Sequence, residues 1–353
     1  MELLSPKKLL THLSASLAVM LIVMLLCLLV GTEPISLRAA FRTSDGVTSA
    51  NPDYEILVHV RLPRVILAAV VGAALASSGV VFQALLRNPL ADPYILGISS
   101  GAGLGTIVAV ICGFSWTVLG RSPIAVFAFA GALATVWLVW FIGRLTGKFH
   151  VTGLLLAGVA VNAFLSAAIM LLTALAKSQQ VYATIFWLMG NMTEEDFLVL
   201  WLAAGCVATA VIALFLISPR LNALSFGDED ARSIGVNVQK TRFAAFAIAA
   251  LLTAVAVSLS GLIGFVGLIV PHALRLVLGP DHRVLLPISS IIGATFLVLA
   301  DTIARTIVAP AQLPVGVVTA VIGGPFFLLL LVRYNKKLGW SPALGSYGNG
   351  TLK

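Results

Sequence analysis

Charged residues are scarce in this sequence: Asp, Glu, Lys and Arg make up 10% of its 353 residues, whereas 59% are hydrophobic. Soluble domains carry about 25% charged and 45–50% apolar residues. The mean hydropathy of +1.05 implies that the surface of the folded chain is apolar as well as its core. A lipid bilayer supplies that environment and water does not, so we expect residues 1–353 to form a single membrane domain.

Residues that carry catalysis or bind metals are few and scattered. The five histidines show no metal-ligand spacing, and the three cysteines lie singly inside apolar segments. The stretch from Gly143 to Lys148 has one residue too few between its glycines for a phosphate-binding P-loop, and Phe149 stands where Ser or Thr is required. We therefore expect no catalytic residue, no bound metal or cofactor and no ATP site in this chain.

Ionisable residues are also rare inside the apolar segments, with Asp301 near a segment end as the main exception. Ion-coupled carriers usually place such groups at the membrane midplane. Their scarcity argues against a secondary carrier, and the lack of a nucleophile or acid–base cluster argues against a membrane-embedded enzyme. Both remain alternatives to an ATP-driven transporter.

Ten segments have the roughly 20 mostly apolar residues that a membrane-spanning helix needs. They cover residues 13–31, 64–86, 95–113, 123–143, 152–176, 196–218, 241–261, 262–278, 284–308 and 314–332. The eighth contains Pro271, His272 and Arg275, so we expect it to be broken or tilted. In the third, Gly97, Gly101 and Gly105 recur at spacing four, which predicts close packing against a neighbouring helix.

The basic residues concentrate on one side of these segments. Ten spans place both termini on the same side, and 15 of the 22 Lys and Arg residues then lie on that side. Because cytoplasmic loops are enriched in Lys and Arg, we predict that both termini are cytoplasmic. The net charge of +8 thus reflects topology, and we expect no nucleic-acid partner.

The inner connection at about residues 219–240 has the features of short amphipathic helices. The acids at positions 228–230 suit a helix N-terminus, and Ala231, Ile234 and Val238 form an apolar stripe at helical spacing. Gly235 can end one helix and allow a second to begin. We predict two short helices outside the bilayer, which either rest on lipid or dock a cytoplasmic partner.

Arginines also stand on the outer side, where the charge bias makes them less expected. Arg61 and Arg64 precede the second span, and Arg305 lies near the outer end of the ninth. Interfacial arginines often only anchor a helix by reaching towards water. Since guanidinium groups pair with carboxylates, a ring of them facing outward is an alternative that would dock an acidic protein surface.

Several segments together resemble the permease family of ABC importers for iron–siderophores, haem and vitamin B12. These segments are Arg61-Leu-Pro-Arg64, Val71-Gly-Ala-Ala-Leu-Ala-Ser-Ser-Gly79, Arg87-Asn-Pro-Leu-Ala-Asp-Pro-Tyr-Ile-Leu-Gly97, Gly261-Leu-Ile-Gly-Phe-Val-Gly-Leu-Ile-Val-Pro-His272, Leu313-Pro-Val-Gly316 and Gly323-Gly-Pro-Phe326. The resemblance extends over nearly the whole chain, and the motifs are specific in combination.

The resemblance implies an all-α polytopic membrane protein of about ten helices with the type II ABC importer permease fold, in the bacterial inner membrane. It implies a homodimer with two ATPase subunits inside, which use ATP and Mg, and a periplasmic substrate-binding protein outside. The cargo would be an iron chelate (siderophore or haem) or cobalamin, moved from periplasm to cytoplasm by alternating access. The permease itself would be no enzyme.

The resemblance also assigns roles to individual residues. Arg61, Arg64 and Arg305 match arginines that pair with glutamates of the binding protein. Residues that match the elements coupled to the ATPase are Gly227, Asp228, Glu229, Ala231, Arg232, Ile234, Gly235 and Val236. Residues near the cytoplasmic gate are Asn88, Leu90, Val151 and Thr152. One departure is Gln312, where the family often has Glu.

Overall fold

The computed structural model describes residues 6–40, 51–114, 123–145, 151–192 and 196–337, and all regular structure in these ranges is helical. The longer helices are α1 (Pro6–Leu29), α4 (Leu62–Leu85), α5 (Ile98–Cys112), α6 (Pro123–Leu145), α7 (Val151–Leu175), α9 (Phe197–Phe226), α11 (Val238–Ser260), α12 (Val266–Leu278), α13 (His282–Thr306) and α14 (Val315–Lys337). The shorter ones are α2 (Leu37–Ala40), α3 (Pro52–Glu55), α8 (Ser178–Leu188) and α10 (Asp228–Ser233).

The ten longer helices correspond one to one to the ten predicted spans, and the predicted all-α membrane fold is confirmed. Within the described residues, seven helices are long and apolar enough to cross a membrane, by length and composition. The remaining three, α5, α12 and the apolar part of α14, are shorter. At 1.5 Å per residue the 13-residue α12 extends only about 20 Å, less than the roughly 30 Å of a hydrocarbon core.

Non-helical backbone beside the short helices is satisfied by buried side chains. Residues 261–265, which precede α12, are not helical. The Tyr94 hydroxyl donates to the carbonyl of Ile263 at 2.7 Å and accepts from its N–H at 2.9 Å. Irregular backbone at membrane depth is tolerated only where protein or a water-filled cavity covers it. The eighth predicted span is therefore a short helix, continuous through Pro271, that follows an irregular segment.

Three helical features differ from the predicted boundaries. Helix α9 runs to Phe226 rather than to residue 218, because continuing through Pro219 buries Leu221 and Leu224. Helix α8 was not predicted at all. Helix α4 continues a helical segment that begins at Pro52 and includes a π-helical turn, Ile56–Arg61. Residues 41–50, in the connection between α1 and α4, lie outside the described residues.

The connection between α9 and α11 contains one short helix, α10, so the prediction of two was wrong. Its end is a Schellman motif, in which Val236 N–H donates to Ala231 O at 3.0 Å and Gly235 adopts a φ of 84°. Ala231 and Val238 are buried, but Ile234 is 69% exposed. The predicted stripe fails at Ile234 because the helix has already ended there and helical periodicity no longer applies.

The molecule has two end faces, because consecutive long helices run in opposite directions. Helix α10 and the C-terminal ends of α4 and α9 lie at one end, which we call the α10 face. The C-terminal ends of α1 and α13 meet Arg61 and Arg64, at the start of α4, at the other end. We call this second surface the Arg64 face.

Helix α4 is the centre of the bundle. Of its apolar stretch 78% is buried, against 6% for α1, and it contacts α9, α11, α12 and α13. Glycines allow this close approach: a Cβ atom on Gly79 would lie 1.9 Å from the carbonyl oxygen of Gly267, and one on Gly72 would lie 2.2 Å from that of Gly293. The backbones of α12 and α13 therefore rest directly on α4.

Helices α5 and α6 pack in the same way. A Cβ atom on Gly101 would lie 2.5 Å from the carbonyl oxygen of Gly131, and one on Gly105 would lie 2.0 Å from that of Phe127. The predicted close packing is confirmed for these two glycines. Gly97 instead precedes α5 in the left-handed conformation, with a φ of 76°, and faces Asn162 of α7.

We expect Gly79→Ala to destabilise the protein strongly, because the new methyl group overlaps the backbone of Gly267. Gly205→Ala is the matched control, since nothing lies within 4 Å of its Cβ position on α9 and alanine favours a helix by about 1 kcal/mol. The measurement is the melting temperature of the detergent-purified protein. Equal melting temperatures for the two variants would contradict the close approach of α4 and α12.

Candidate functional site

A compact set of exposed side chains surrounds α10. Phe226 is 68% exposed and Ile234 is 69% exposed, and Glu229, Arg232 and Gly235 are exposed beside them. We call these five residues the α10 surface. Phe226 ends α9, and the other four residues lie on α10 or just after it. Large exposed apolar side chains flanked by charged ones are typical of a protein contact.

Asp228 fastens α10 to two other helices. Its Oδ1 accepts a hydrogen bond from Arg87 Nη2, just after α4, and one from Arg242 Nη2, in α11, each at 2.6 Å. Arg87 also donates through Nε and Nη2 to the carbonyl oxygen of Leu224, at 3.2 and 2.9 Å. The acid that we expected only to favour the helix dipole thus also joins α10 to α4 and α11.

Arg87 has an unfavourable backbone conformation. Its φ of 48° lies in the left-handed region, and Asn88 N–H donates to Gln83 O at 3.1 Å, which closes a Schellman motif after α4. Glycine is usual at this position, and another residue costs about 1–3 kcal/mol. Sequence reasoning counted Arg87 and Arg242 only as basic residues. The available signal was an arginine directly after a helix end.

The turn between α4 and α5 is held by short polar side chains. Asn88 is exposed, and its Oδ1 accepts from the N–H of Leu90 at 2.9 Å. Burial raises the pKa of Asp92 to about 6, against the lowering effect of the hydrogen bonds that it accepts from the backbones of Tyr94 and Phe265. The turn is therefore locally fixed and is tied to the segment before α12.

The other two predicted gate residues, Val151 and Thr152, begin α7. Their side chains lie outside what the structure describes. Their backbone belongs to a helix that starts at the α10 face and runs beside α5, since Gly158 faces Leu96. The structure thus places the predicted gate residues on two elements that start at the same face.

A second polar cluster joins α9 to α13 at the α10 face. Asn222 Nδ2 donates to Asp281 Oδ1 at 2.7 Å, and Arg283 Nη2 donates to Asp281 Oδ2 at 2.7 Å. Burial by itself would raise the pKa of Asp281, but the hydrogen bonds from Arg283 and Asn222 outweigh it and lower the pKa to about 2. The carboxylate therefore stays ionised at any physiological pH.

At the Arg64 face, one buried carboxylate receives two guanidinium groups. Asp301, 1% exposed, lies 3.0 Å from Nε and from Nη2 of Arg64 and 3.0 Å from Nε of Arg305. Arg64 Nη1 also donates to Gln312 Oε1 at 2.9 Å. The amide at Gln312 is therefore still a hydrogen-bond acceptor for the arginine, although it carries no charge.

Arg61 closes the end of α1. Its Nη1 donates to the carbonyl oxygens of Leu28 and Leu29 at 3.1 and 3.0 Å, and its Nη2 donates to that of Glu33. The last carbonyls of a helix have no partner within the helix. The guanidinium group of Arg61 supplies the missing donors, and its positive charge interacts favourably with the negative end of the helix dipole.

All three predicted docking arginines are buried, at 3% exposure for Arg61, 7% for Arg64 and 6% for Arg305. The sequence suggested guanidinium groups that face outward, whereas the structure turns them inward, onto Asp301 and onto α1. The reason is that a charge inside an apolar protein needs partners, and the chain supplies them. A carboxylate from outside reaches these arginines only by sharing or replacing those partners.

A cavity of about 620 Å³ lies between α5, α7 and α8. Hydroxyl groups of Ser99, Ser100, Ser166 and Thr173 line it, together with apolar side chains, and none of its lining residues is charged. Among the described residues, no three His, Cys, Asp or Glu side chains come together as metal ligands would. The cavity is mostly apolar, with a few hydroxyl groups at its wall.

Comparison with known proteins gives consistent similarities. The FecCD transport family profile matches residues 19–333. The hemin transport system permease protein HmuU of Yersinia pestis is 41% identical over 319 residues, which are 90% of this chain and 95% of the relative. The cobalamin import system permease protein BtuC of Halobacterium salinarum is 45% identical over 276 residues, 78% of this chain and 73% of the relative.

A solved structure gives the same result for the fold. It is described as a metal-chelate-type ABC transporter in an inward-facing conformation. It superposes with a TM-score of 0.79 at 30% sequence identity and covers 91% of this chain and 98% of the solved one.

We expect Asp301→Ala to destabilise the protein by about 3–5 kcal/mol, because it leaves two buried guanidinium groups without their carboxylate. The control is Glu55→Gln, which removes a carboxylate paired with His59 at a position about half exposed, where about 0–1 kcal/mol is at stake. Thermal unfolding in detergent compares the two. A loss for Asp301→Ala no larger than the control's would rule out a structural role for the ion pairs.

Proposed function

The chain belongs to the FecCD transport family, and from this we propose that it is the membrane-spanning permease subunit of an ATP-binding-cassette importer. The family transports and does not catalyse, so the chain contributes a path across the membrane rather than chemistry. The observation that carries the proposal is α10. This short helix is exposed, is fixed to the bundle by Asp228, and lies where a cytoplasmic ATPase subunit can contact it.

In this proposal two ATPase subunits bind the α10 surface and alone use ATP and Mg²⁺, and the permease binds neither. The support is the exposed pair Phe226 and Ile234, with Glu229 and Arg232 at the edge of the pair. Protein interfaces commonly have such an apolar centre and polar rim. When ATP binding closes the ATPases, α10 transmits the movement to the bundle.

The permease acts as a homodimer, and a second copy covers the exposed side of α7 and α14. Helix α7 exposes an apolar stripe at helical spacing, with Leu156 at 66%, Val159 at 56% and Met170 at 72%. Helix α14 exposes Val321 at 68% and Leu328 at 60%. The hydroxyl-lined cavity lies beside this stripe, so the pathway runs between the copies, and lipid covers the remaining apolar surface.

The α10 face and both termini are cytoplasmic in the proposed bacterial inner membrane. The support is the excess of Lys and Arg on that side of the bundle. The gate lies at the same end and comprises Asn88 and Leu90 on the turn after α4, with Val151 and Thr152 at the start of α7. Closing the two copies together there separates the pathway from the cytoplasm.

A periplasmic substrate-binding protein docks on the Arg64 face, at Arg61, Arg64 and Arg305. Arg64 and Arg305 share the single carboxylate of Asp301, so that carboxylate cannot neutralise both guanidinium groups. Complementary charge speeds encounter and orients an acidic partner. The partner's glutamates gain access by sharing these guanidinium groups with Asp301.

The proposed cargo is an iron chelate, as a siderophore complex or haem, or cobalamin. The relatives are named for hemin and for cobalamin. Each of these is a large molecule that encloses its metal, and the cavity between α5, α7 and α8 has no charged lining residue that would bind a bare metal ion. Selectivity then rests with the binding protein.

The proposal predicts ATP-dependent uptake by proteoliposomes that contain the chain, with its ATPase inside and its binding protein outside. Hemin, a ferric hydroxamate and cyanocobalamin are tested in turn, and at least one should accumulate only when ATP is inside the vesicles. Vesicles without the chain are the control. Accumulation that needs a proton gradient and no ATPase would instead establish a secondary carrier.

For the α10 surface we expect Ile234→Ser to weaken binding of the ATPase about tenfold, because a central apolar contact is lost. Val277→Ser is the control, since Val277 is an equally exposed apolar residue, at 80%, near the same face but outside α10. Affinity is measured on detergent-purified permease with added ATPase. Equal affinities for both variants would place the ATPase elsewhere.

A further inference from the structure

Arg87 occupies a position that favours glycine, and the contacts of its side chain suggest a reason. A left-handed residue at the end of a helix is strained unless it is glycine, and strained residues persist where they serve a purpose. If the turn after α4 were needed only as a turn, glycine would serve better. The guanidinium group must therefore supply something that the turn alone does not.

The side chain links two parts of the chain that are distant in sequence. Arg87 reaches Asp228 across 141 positions, whereas Arg242 reaches the same carboxylate from only 14 positions away. Arg242, whose side chain is 7% exposed, already fixes α10 to the adjacent α11. The bond to Arg87, which is 42% exposed, adds a connection to a different helix.

That connection ends beside the proposed gate. Asn88 and Leu90 follow Arg87 directly and are fixed to each other by the Asn88 side chain. The same guanidinium group holds the last turn of α9 through Leu224 O. The ion pair between Asp228 and Arg87 therefore links a displacement of α10 to the turn after α4.

We propose that Arg87 is a positioning residue which, through Asp228, makes α10 and the gate turn at Asn88 and Leu90 move together, so that ATPase closure reaches the gate. Arg242 keeps α10 attached to α11 during this movement. The inference rests on the proposed function and names the contact by which the ATPase and the gate communicate. Because Asp228 has two arginine partners, its bond to Arg87 can change in length while its bond to Arg242 is kept.

The test is the number of cargo molecules imported per ATP hydrolysed, in proteoliposomes with the ATPase and the binding protein. Arg87→Gly should lower this ratio about fivefold, within the range expected for a broken coupling contact. Its melting temperature should stay near that of the unchanged protein, because glycine relieves the backbone strain. The control is Arg144→Gly, which removes an exposed arginine from the last turn of α6, away from α10.

A second comparison separates coupling from folding. Arg87→Lys keeps the charge and should restore part of the ratio. Arg87→Gly combined with Asp228→Ala should be no worse than the more impaired single variant, since the Arg87–Asp228 contact is already lost in either one. If Arg87→Gly does not fold, Arg87→Gln replaces it in the same measurements. If the lower import ratio is explained by a lowered melting temperature, Arg87 has only a structural role.

The outcomes distinguish the inference from the function on which it rests. If the unchanged protein imports none of hemin, a ferric hydroxamate or cyanocobalamin with ATP, the proposed function is wrong. If it imports one of them, and Arg87→Gly imports it with an unaltered ratio to ATP, the importer stands and the coupling role of Arg87 is overturned.

Discussion

The bilayer core offers no water, so every buried polar group of this chain needs a partner within the protein. That constraint explains contacts that otherwise look unrelated. The hydroxyl of Tyr94 satisfies both backbone groups of Ile263, where the chain leaves helix before α12. Gln83 Nε2 donates to the carbonyl of Leu268 in the adjacent helix at 3.2 Å. At Ile263 a side chain thus replaces the helical hydrogen bonds that the irregular segment before α12 lacks.

Helix α4 has such polar contacts along its whole length, from the Arg64 face to the α10 face. Arg64 at its start is paired with α13, Gln83 in its last turns is bonded to α12, and Arg87 just after its end is bonded to α9 and α10. Between these points its glycines bring the backbones of α12 and α13 into contact. A helix packed so closely cannot bend easily, because dense interiors transmit displacement. The two faces are therefore mechanically connected through one rigid element.

The features that depend on neighbouring residues were predicted from the sequence, whereas those that depend on contacts between distant residues were not. The spans were found because an apolar run is visible in a single window. The sixth predicted span ends at residue 218, yet the helix continues through Pro219, because burial of Leu221 and Leu224 outweighs the one hydrogen bond that proline removes. Ile234 was placed on one apolar stripe with Ala231 and Val238 because helical spacing was extended past Ser233, where the helix ends. The roles assigned to the α10 surface and the gate remain predictions.

For the arginines of the Arg64 face, too, the sequence did not predict the partners of the side chains. Their positions mark an unusual charge, but not the direction in which the side chain points. Arg64 finds its carboxylate 237 positions away, at Asp301, and Arg61 finds its carbonyls in a different helix. An acidic partner that shares a guanidinium group with Asp301 leaves α4 and α13 linked. One that displaces Asp301 removes this ion pair, and the two helices are then held by their close packing at Gly72 and Gly293.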